Sequence, residues 1–248
     1  MKTTWNVLTL SVLILLCANT ARADFVGLKI GANYWEPEIS GTIIGDGAGD
    51  TLIDISGDLG LDDPTPSNLV LTIEHPIPIL PNIRYQSLEL DSTGSSNSSI
   101  IFNGVSYTGN INSTFDLSHD DIVLYYEVLD NWMSLDLGLD IKVFNGEVAL
   151  ADGTNSDMVP IDETIPLLYL SARFDLPFSG FYIGADINGA STSDNSIEDT
   201  SLMLGYESGS GLGFEGGIKK FSLELNDVTD INTNLEYDGI FLNGYYHF

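Results

Sequence analysis

From Met133 to Val143 the chain alternates without a break. Met133, Leu135, Leu137, Leu139, Ile141 and Val143 fall on one face, and Ser134, Asp136, Gly138, Asp140 and Lys142 fall on the other. A period of two marks a β-strand whose faces meet different media. Six apolar side chains against three charges separate those media more strictly than a small β-sandwich requires, so hydrocarbon is expected on one side and water on the other. The pattern recurs along the chain. Val26, Leu28, Ile30, Ala32 and Tyr34 oppose Lys29, Gly31 and Asn33. Near the other end, Ile240, Leu242, Gly244, Tyr246 and Phe248 oppose Asn243, Tyr245 and His247, and the sequence stops on an aromatic in mid-strand.

Helix formers are thin, while Gly, Asn, Ser, Asp and Thr are frequent, which is an all-β composition. Met1 to Ala23 has the form of a secretory signal peptide: Lys2, an apolar run from Val7 to Cys17, and Ala21-Arg22-Ala23 as a small-x-small cleavage site. The expected mature unit is a single domain, 24–248, without cysteine, which removes disulfides, thiol catalysis and cysteine metal centres. After Ala23 no run approaches the roughly 20 apolar residues of a transmembrane helix. The formal charge of the whole chain is −28, and loss of Lys2 and Arg22 takes it to −30. So acidic a surface repels nucleic acid and phosphate-rich ligands. The scattered acids are read as solvated loops that keep the chain soluble during export. Divalent-cation binding at a lipopolysaccharide-covered surface is the second reading.

Connections alternate in length. Short turns are expected at Pro76 to Asn82, Asp130-Asn131, Asp175 to Gly180 and Glu207 to Gly211; long polar loops are expected at 36–67, 91–121, 144–164, 188–200 and 226–234. That asymmetry fits a closed antiparallel up-and-down transmembrane β-barrel with short periplasmic turns and acidic external loops. Ten strands are expected, with eight as the alternative. On the assigned phases the inner face carries Lys29, Arg84, Lys142, Arg173 and Lys219 beside Glu74, Glu127, Asp136, Asp140, Asp186 and Glu215. Paired charges in a filled lumen are the expectation.

With alternating strands, alternating loop lengths and terminal Phe248, the chain resembles the proteobacterial outer-membrane β-barrels. Gly31-Ala-Asn-Tyr-Trp35, Glu74-His-Pro-Ile-Pro-Ile-Leu-Pro-Asn82, Leu124-Tyr-Tyr-Glu-Val-Leu-Asp-Asn131 and Gly216-Gly217 are more narrowly similar to a small outer-membrane family named for a Gly-Gly pair. The resemblance implies an outer-membrane address reached by the general secretory route. It also implies recognition of the closing strand, with Ile240, Leu242, Gly244, Tyr246 and Phe248, by the barrel-assembly machinery. It brings no functional residue with it.

No cofactor or metal pattern is found. Asp46-Gly-Ala-Gly-Asp50 has the look of a calcium loop, but Ala48 stands where a ligand is needed and no Glu closes it at the right spacing. Ser118-His-Asp-Asp121 is the one place where Ser, His and carboxylates cluster, yet adjacent strand residues point to opposite faces and cannot form a triad. The expected protein is a monomeric, non-enzymatic barrel that contacts membrane lipid and lipopolysaccharide and has an envelope structural or surface-interaction role. A narrow passive pore is the alternative, and an enzyme acting on lipid A or peptides is the weakest reading.

Overall fold

The computed structural model describes residues 26–228 and 231–248. The expected signal peptide, 1–23, lies outside the described residues. The described chain is all β, in fifteen strands: β1 (Gly27–Gly45), β2 (Ile53–Asp54), β3 (Ser67–Glu74), β4 (Asn82–Leu88), β5 (Asp91–Phe102), β6 (Val105–Asp116), β7 (His119–Asp130), β8 (Met133–Phe144), β9 (Gly146–Ala151), β10 (Ser156–Ile161), β11 (Thr164–Asp175), β12 (Phe181–Ser191), β13 (Ser196–Glu207), β14 (Leu212–Val228) and β15 (Ile231–His247).

Ten of them form a closed antiparallel cylinder in the order β15-β14-β13-β12-β11-β8-β7-β4-β3-β1, sealed where β15 returns to β1. The seam runs from Lys29↔His247 to Gly45↔Ile231. Following partners once around, Leu28 leads through Ile73, Ile83, Leu124, Leu139, Leu168, Gly189, Glu198, Ser222 and Glu236 to Ser40, twelve residues farther along β1. A stagger of twelve over ten strands tilts them by about 40° and gives a backbone radius of about 10 Å.

The alternating apolar residues face outward. Leu69 and Leu168 are each 71% exposed and Leu242 is 62% exposed, in a belt that continues around every barrel strand. Aromatic pairs mark its edge near the short turns: Trp132 against Phe174, Phe181 against Tyr206 and Tyr246 against Phe248, with ring centroids 4.6 to 5.1 Å apart. Such rings suit a boundary between hydrocarbon and water. At the other edge the outer face turns polar, with Glu36, Glu38 and Ser40 on β1, Lys220 on β14 and Asp238 on β15 exposed.

The short turns fall at 75–81, 131–132, 176–180 and 208–211, the second one residue later than the spacing predicts. Three of the long connections, 36–67, 91–121 and 144–164, differ from expectation: they are not simply exposed loops, because most of their apolar residues alternate too and are buried. β1 continues to Gly45, and the segment after it buries Ile53, Ile55, Leu59 and Leu61. β5 and β6 form a hairpin that turns at Asn103-Gly104, where the sequence offers a small hairpin over Ile100 to Ser113; it extends back to Asp91↔Asp116, and the φ angles of 50° and 73° suit a primed turn. β9 and β10 form another, and the two join as a second sheet in the order β10-β9-β6-β5. At the β9–β10 turn the backbone amides of Asn155, Thr108 and Thr154 donate to the Asp152 carboxylate and hold it below the usual carboxylate range.

This second sheet closes over the far end of the cylinder. Ile100, Phe102, Tyr107, Ile111, Phe115, Val148 and Leu150 from the hairpins share one buried cluster with Trp35, Ile39, Ile43, Phe221, Leu223, Leu235, Tyr237 and Phe241 from the barrel wall. Burial pushes the Tyr237 phenol above its ordinary value. Leu88 and Leu90, which break the phase of β4, are both buried in this cluster. The phase slip therefore marks the level where the inner face changes from polar to apolar.

Candidate functional site

Below that plug the inner face is polar and encloses a chamber of about 340 Å³ at the short-turn end. All eleven charged residues expected in the lumen lie on inward positions of the barrel strands. They divide into three groups, because strand stagger, not sequence distance, sets who meets whom.

The first group is centred on Arg173 of β11. Its guanidinium meets Asp175 at 2.8 Å and Glu207 at 3.3 Å, and it lies 3.6 Å from the Tyr182 ring centroid. Tyr182 donates to Glu215 and Tyr245 donates to Glu207 at 2.8 Å, with the two hydroxyl oxygens 3.0 Å apart. Lys29 stands 3.6 Å from Glu215 and sits over the Tyr245 ring. Asn243 donates to Glu215 at 2.7 Å. His247 reaches Glu207 at 3.5 Å and Glu74 at 4.0 Å. Cations, phenols and carboxylates here form one continuous network on β15, β1 and β11 to β14.

The second group, on β3, β7 and β8, is acidic. Glu127 and Asp136 are direct cross-strand partners, an arrangement that repels. Glu127 accepts from the Asn82 amide at 3.3 Å, and Glu74 accepts from the Tyr125 hydroxyl at 2.9 Å. No lysine or arginine lies within ion-pair distance of Glu127 or Asp136 among the described residues. The chamber is thus an acidic wall facing a wall whose charges are already matched.

The third group forms the ceiling beneath the plug. Lys142 is wholly buried, 2.5 Å from Asp121 and 3.8 Å from Asp199. Lys219 meets Asp199 at 3.2 Å and lies 5.1 Å from the Trp35 ring centroid. Gln86 donates to the other oxygen of Asp121 at 2.6 Å. Between this ceiling and the main chamber lies an inner cavity of about 60 Å³ bordered by Asp140, Arg84 and Asp186, the last two 3.4 Å apart.

Sequence reasoning missed Asp121, Asp199 and Glu207, which complete the ion pairs, and the phenols of Tyr125, Tyr169, Tyr182 and Tyr245. Inward parity would have collected Asp121, Tyr125, Tyr169 and Tyr182, each on the phase of a charge that was found; Asp199 and Glu207 on β13 and Tyr245 on β15 share no strand with one. Ser118 and His119 are not brought together. The Ser118 hydroxyl accepts from the Leu90 amide at 3.0 Å, while the His119 ring is buried against Phe144 and Phe221, with Nδ1 2.8 Å from the Leu117 carbonyl. The Nε2 of His75 lies 3.1 Å from the Pro81 carbonyl in its turn. Among the described residues no three His, Cys, Asp or Glu side chains converge as a metal centre would. Ile240, Leu242, Tyr246 and Phe248 lie exposed on the outer face of β15, with Gly244 between them, and the Phe248 amide donates to the Leu28 carbonyl at 2.9 Å.

No family model and no curated protein matches the chain. Among solved structures it is similar to a Pseudomonas aeruginosa FadL homologue, at 8% identity over 90% of both chains with a TM-score of 0.36. It is also similar to the outer membrane protein OprG from Pseudomonas aeruginosa, at 10% identity over 90% of this chain and 95% of that one, TM-score 0.26. The Pseudomonas putida toluene transporter TodX matches at 10% identity over 90% of this chain and 89% of that one, TM-score 0.31. At these TM-scores no residue and no activity passes from them to this chain. The barrel stands on its own strand pairing.

Proposed function

We propose that this chain is an integral outer-membrane barrel of a Gram-negative envelope, closed to through-flow and without enzymatic activity, serving envelope structure or contact at the surface. The observation that carries the reading is the change along the inner face: polar at the level of the outer apolar belt, then filled by a dry core beyond it. Hydrocarbon tolerates no open sheet edge, and closure of β15 on β1 leaves none at the belt. By the asymmetry of its connections the chamber opens to the periplasm and the hairpin sheet stands outside. Lipid and lipopolysaccharide are then its surroundings, and the closed wall favours a monomer. Membership of the family named for a Gly-Gly pair belongs to the same proposal. Gly217 fits it, because a Cβ there would meet the Leu202 carbonyl oxygen at 1.9 Å.

The 340 Å³ chamber favours one rival, a narrow passive pore. Planar-bilayer recording of the refolded full chain separates the two. The plugged reading expects a heat-modifiable barrel with no steady conductance; steady unitary currents would establish the pore.

A further inference from the structure

The turn between β3 and β4 carries the sequence His75-Pro-Ile-Pro-Ile-Leu-Pro81. From His75 to Ile83 the chain holds no Asp, Glu, Lys or Arg, although it carries 36 acids in all. Ile77, Ile79 and Leu80 are all exposed, Ile79 to 82%, so three large apolar side chains stand largely free of protein. The turn at 208–211, at the same end of the barrel, reads Ser-Gly-Ser-Gly.

The backbone of 75–81 is built for a place without water. Its three prolines remove three N–H donors. Of the four N–H groups that remain, the His75 amide donates to the Asn82 side-chain oxygen at 3.0 Å, the Ile77 amide to Nδ1 of His75 at 3.3 Å and the Leu80 amide to the Ile77 carbonyl at 3.2 Å. Nε2 of His75 lies 3.1 Å from the Pro81 carbonyl. A ring that accepts at one nitrogen and donates at the other is neutral, with both nitrogens satisfied. Water would serve such donors in an exposed turn; a turn that leaves water must serve them itself. The Ile79 carbonyl accepts from the Tyr126 hydroxyl at 3.2 Å. Tyr126 is an outward residue of β7, opposite Leu137 on β8, so its hydroxyl stands off the wall on the lipid side and holds the turn there. With Tyr126 and Val128 exposed on β7, the apolar surface runs without a break from the belt to the turn.

We propose that turn 75–81 inserts into the headgroup–acyl boundary of the periplasmic leaflet and anchors the mouth of the chamber at the bilayer surface, with diacyl phospholipid as its partner. The inference rests on the outer-membrane reading above and deepens it. Continuity with the belt selects lipid as the occupant, and the absence of charge from 75 to 83 suits the acyl side of the boundary. Ile77, Ile79 and Leu80 are the inserted side chains, and the Tyr126 hydroxyl sets the angle at which the turn meets the leaflet.

The full chain has one cysteine, Cys17, so Cys17→Ser gives a background in which a single introduced cysteine carries a nitroxide label. Ile79→Cys, Leu242→Cys and Ser210→Cys are each refolded into phosphatidylcholine vesicles. Collisions of the label with oxygen, which concentrates in hydrocarbon, are then compared with collisions with a nickel chelate confined to water. The label at 242 on the belt should favour oxygen, and the label at 210, an exposed turn position, should favour the chelate. The label at 79 should side with 242. If it sides with 210 while 242 favours oxygen, the turn stands in water, open to a periplasmic protein, and the proposal is overturned with the barrel reading intact. A label at 242 that favours the chelate overturns the membrane reading and this one with it. Should Ile79→Cys fail to refold, Leu80→Cys takes its place with the same expectation. Ile79→Ser checks the result without a label. At 82% exposure it removes little protein contact, so a urea midpoint below that of wild type in the same vesicles reports lost lipid contact, and an unchanged midpoint counts against the anchor.

Discussion

The two halves of this cylinder are built from the same strands and the same inward-facing positions, yet their interiors are opposites. On β1 the inward residues run Lys29, Gly31, Asn33 and then Trp35, Ile39, Ile43; on β14 they run Glu215, Gly217, Lys219 and then Phe221, Leu223. The outward residues change in the reverse sense at the same level, from Ile30 and Tyr34 to Glu36 and Glu38. Both strands are amphipathic throughout, and their polarity inverts partway along. Surrounding medium explains the inversion. Where lipid takes up the outer apolar face, the inside can be wet. Where water surrounds the wall, the apolar face must turn inward and find a partner, which the hairpin sheet of β5, β6, β9 and β10 supplies.

Three substitutions test how sharp that boundary is. The largest effect is expected from Trp35→Ala, which opens a cavity in the dry half beside Phe241 and should cost about 3–5 kcal/mol of unfolding free energy. The measurement is the urea midpoint in detergent. A loss no larger than that of Met203→Ala in the wet half would dissolve the distinction between the halves. Next comes Lys142→Met at the boundary itself. It strands the Asp121 carboxylate in the ceiling and should cost about 3–5 kcal/mol at most, with much of the loss restored in the double variant Lys142→Met/Asp121→Leu. A double variant as unstable as the single one would show that the ceiling depends on the charges and not on their packing. The smallest effect belongs to the wet half. Glu127→Gln removes the repulsion with Asp136 and should stabilise by about 0.2–1 kcal/mol, seen as a small rise in midpoint. Destabilisation instead would mean that Glu127 is matched by a group from elsewhere.

The belt was legible in the sequence because apolar residues at period two with charges between them admit few other solutions. The barrel, its ten strands and its short turns follow from that signal together with loop length. The distal half was hidden by the same rule operating in the opposite phase. Trp35-Glu-Pro-Glu-Ile39 puts polar residues outward, so the segment reads as loop; Asn103-Gly104 signals a small hairpin over Ile100 to Ser113, and the slip at Leu88 and Leu90 reads as a bulge or a stretch above the membrane, but neither by itself gives the inversion. In the chamber, inward parity found Lys142 and Arg173. Asp175 follows Arg173 by two residues on the same face, but the cross-strand partners Asp121, Asp199 and Glu207 needed the stagger of the barrel, which no single strand encodes. The pair Ser118 and His119 shows the converse, being neighbours in the chain and strangers in space.

The seam between β1 and β15 joins Lys29 to His247, contacts about as distant in sequence as this chain allows. Pairings of such separation are slow to form, because the chain's ends must be brought together before any hydrogen bond rewards the loss of freedom. Until then β1 and β15 are both long open edges. The vulnerable species in this protein's life is therefore the complete but unzipped sheet, and the time spent in that state, more than the depth of the final energy well, governs how often it is lost to aggregation.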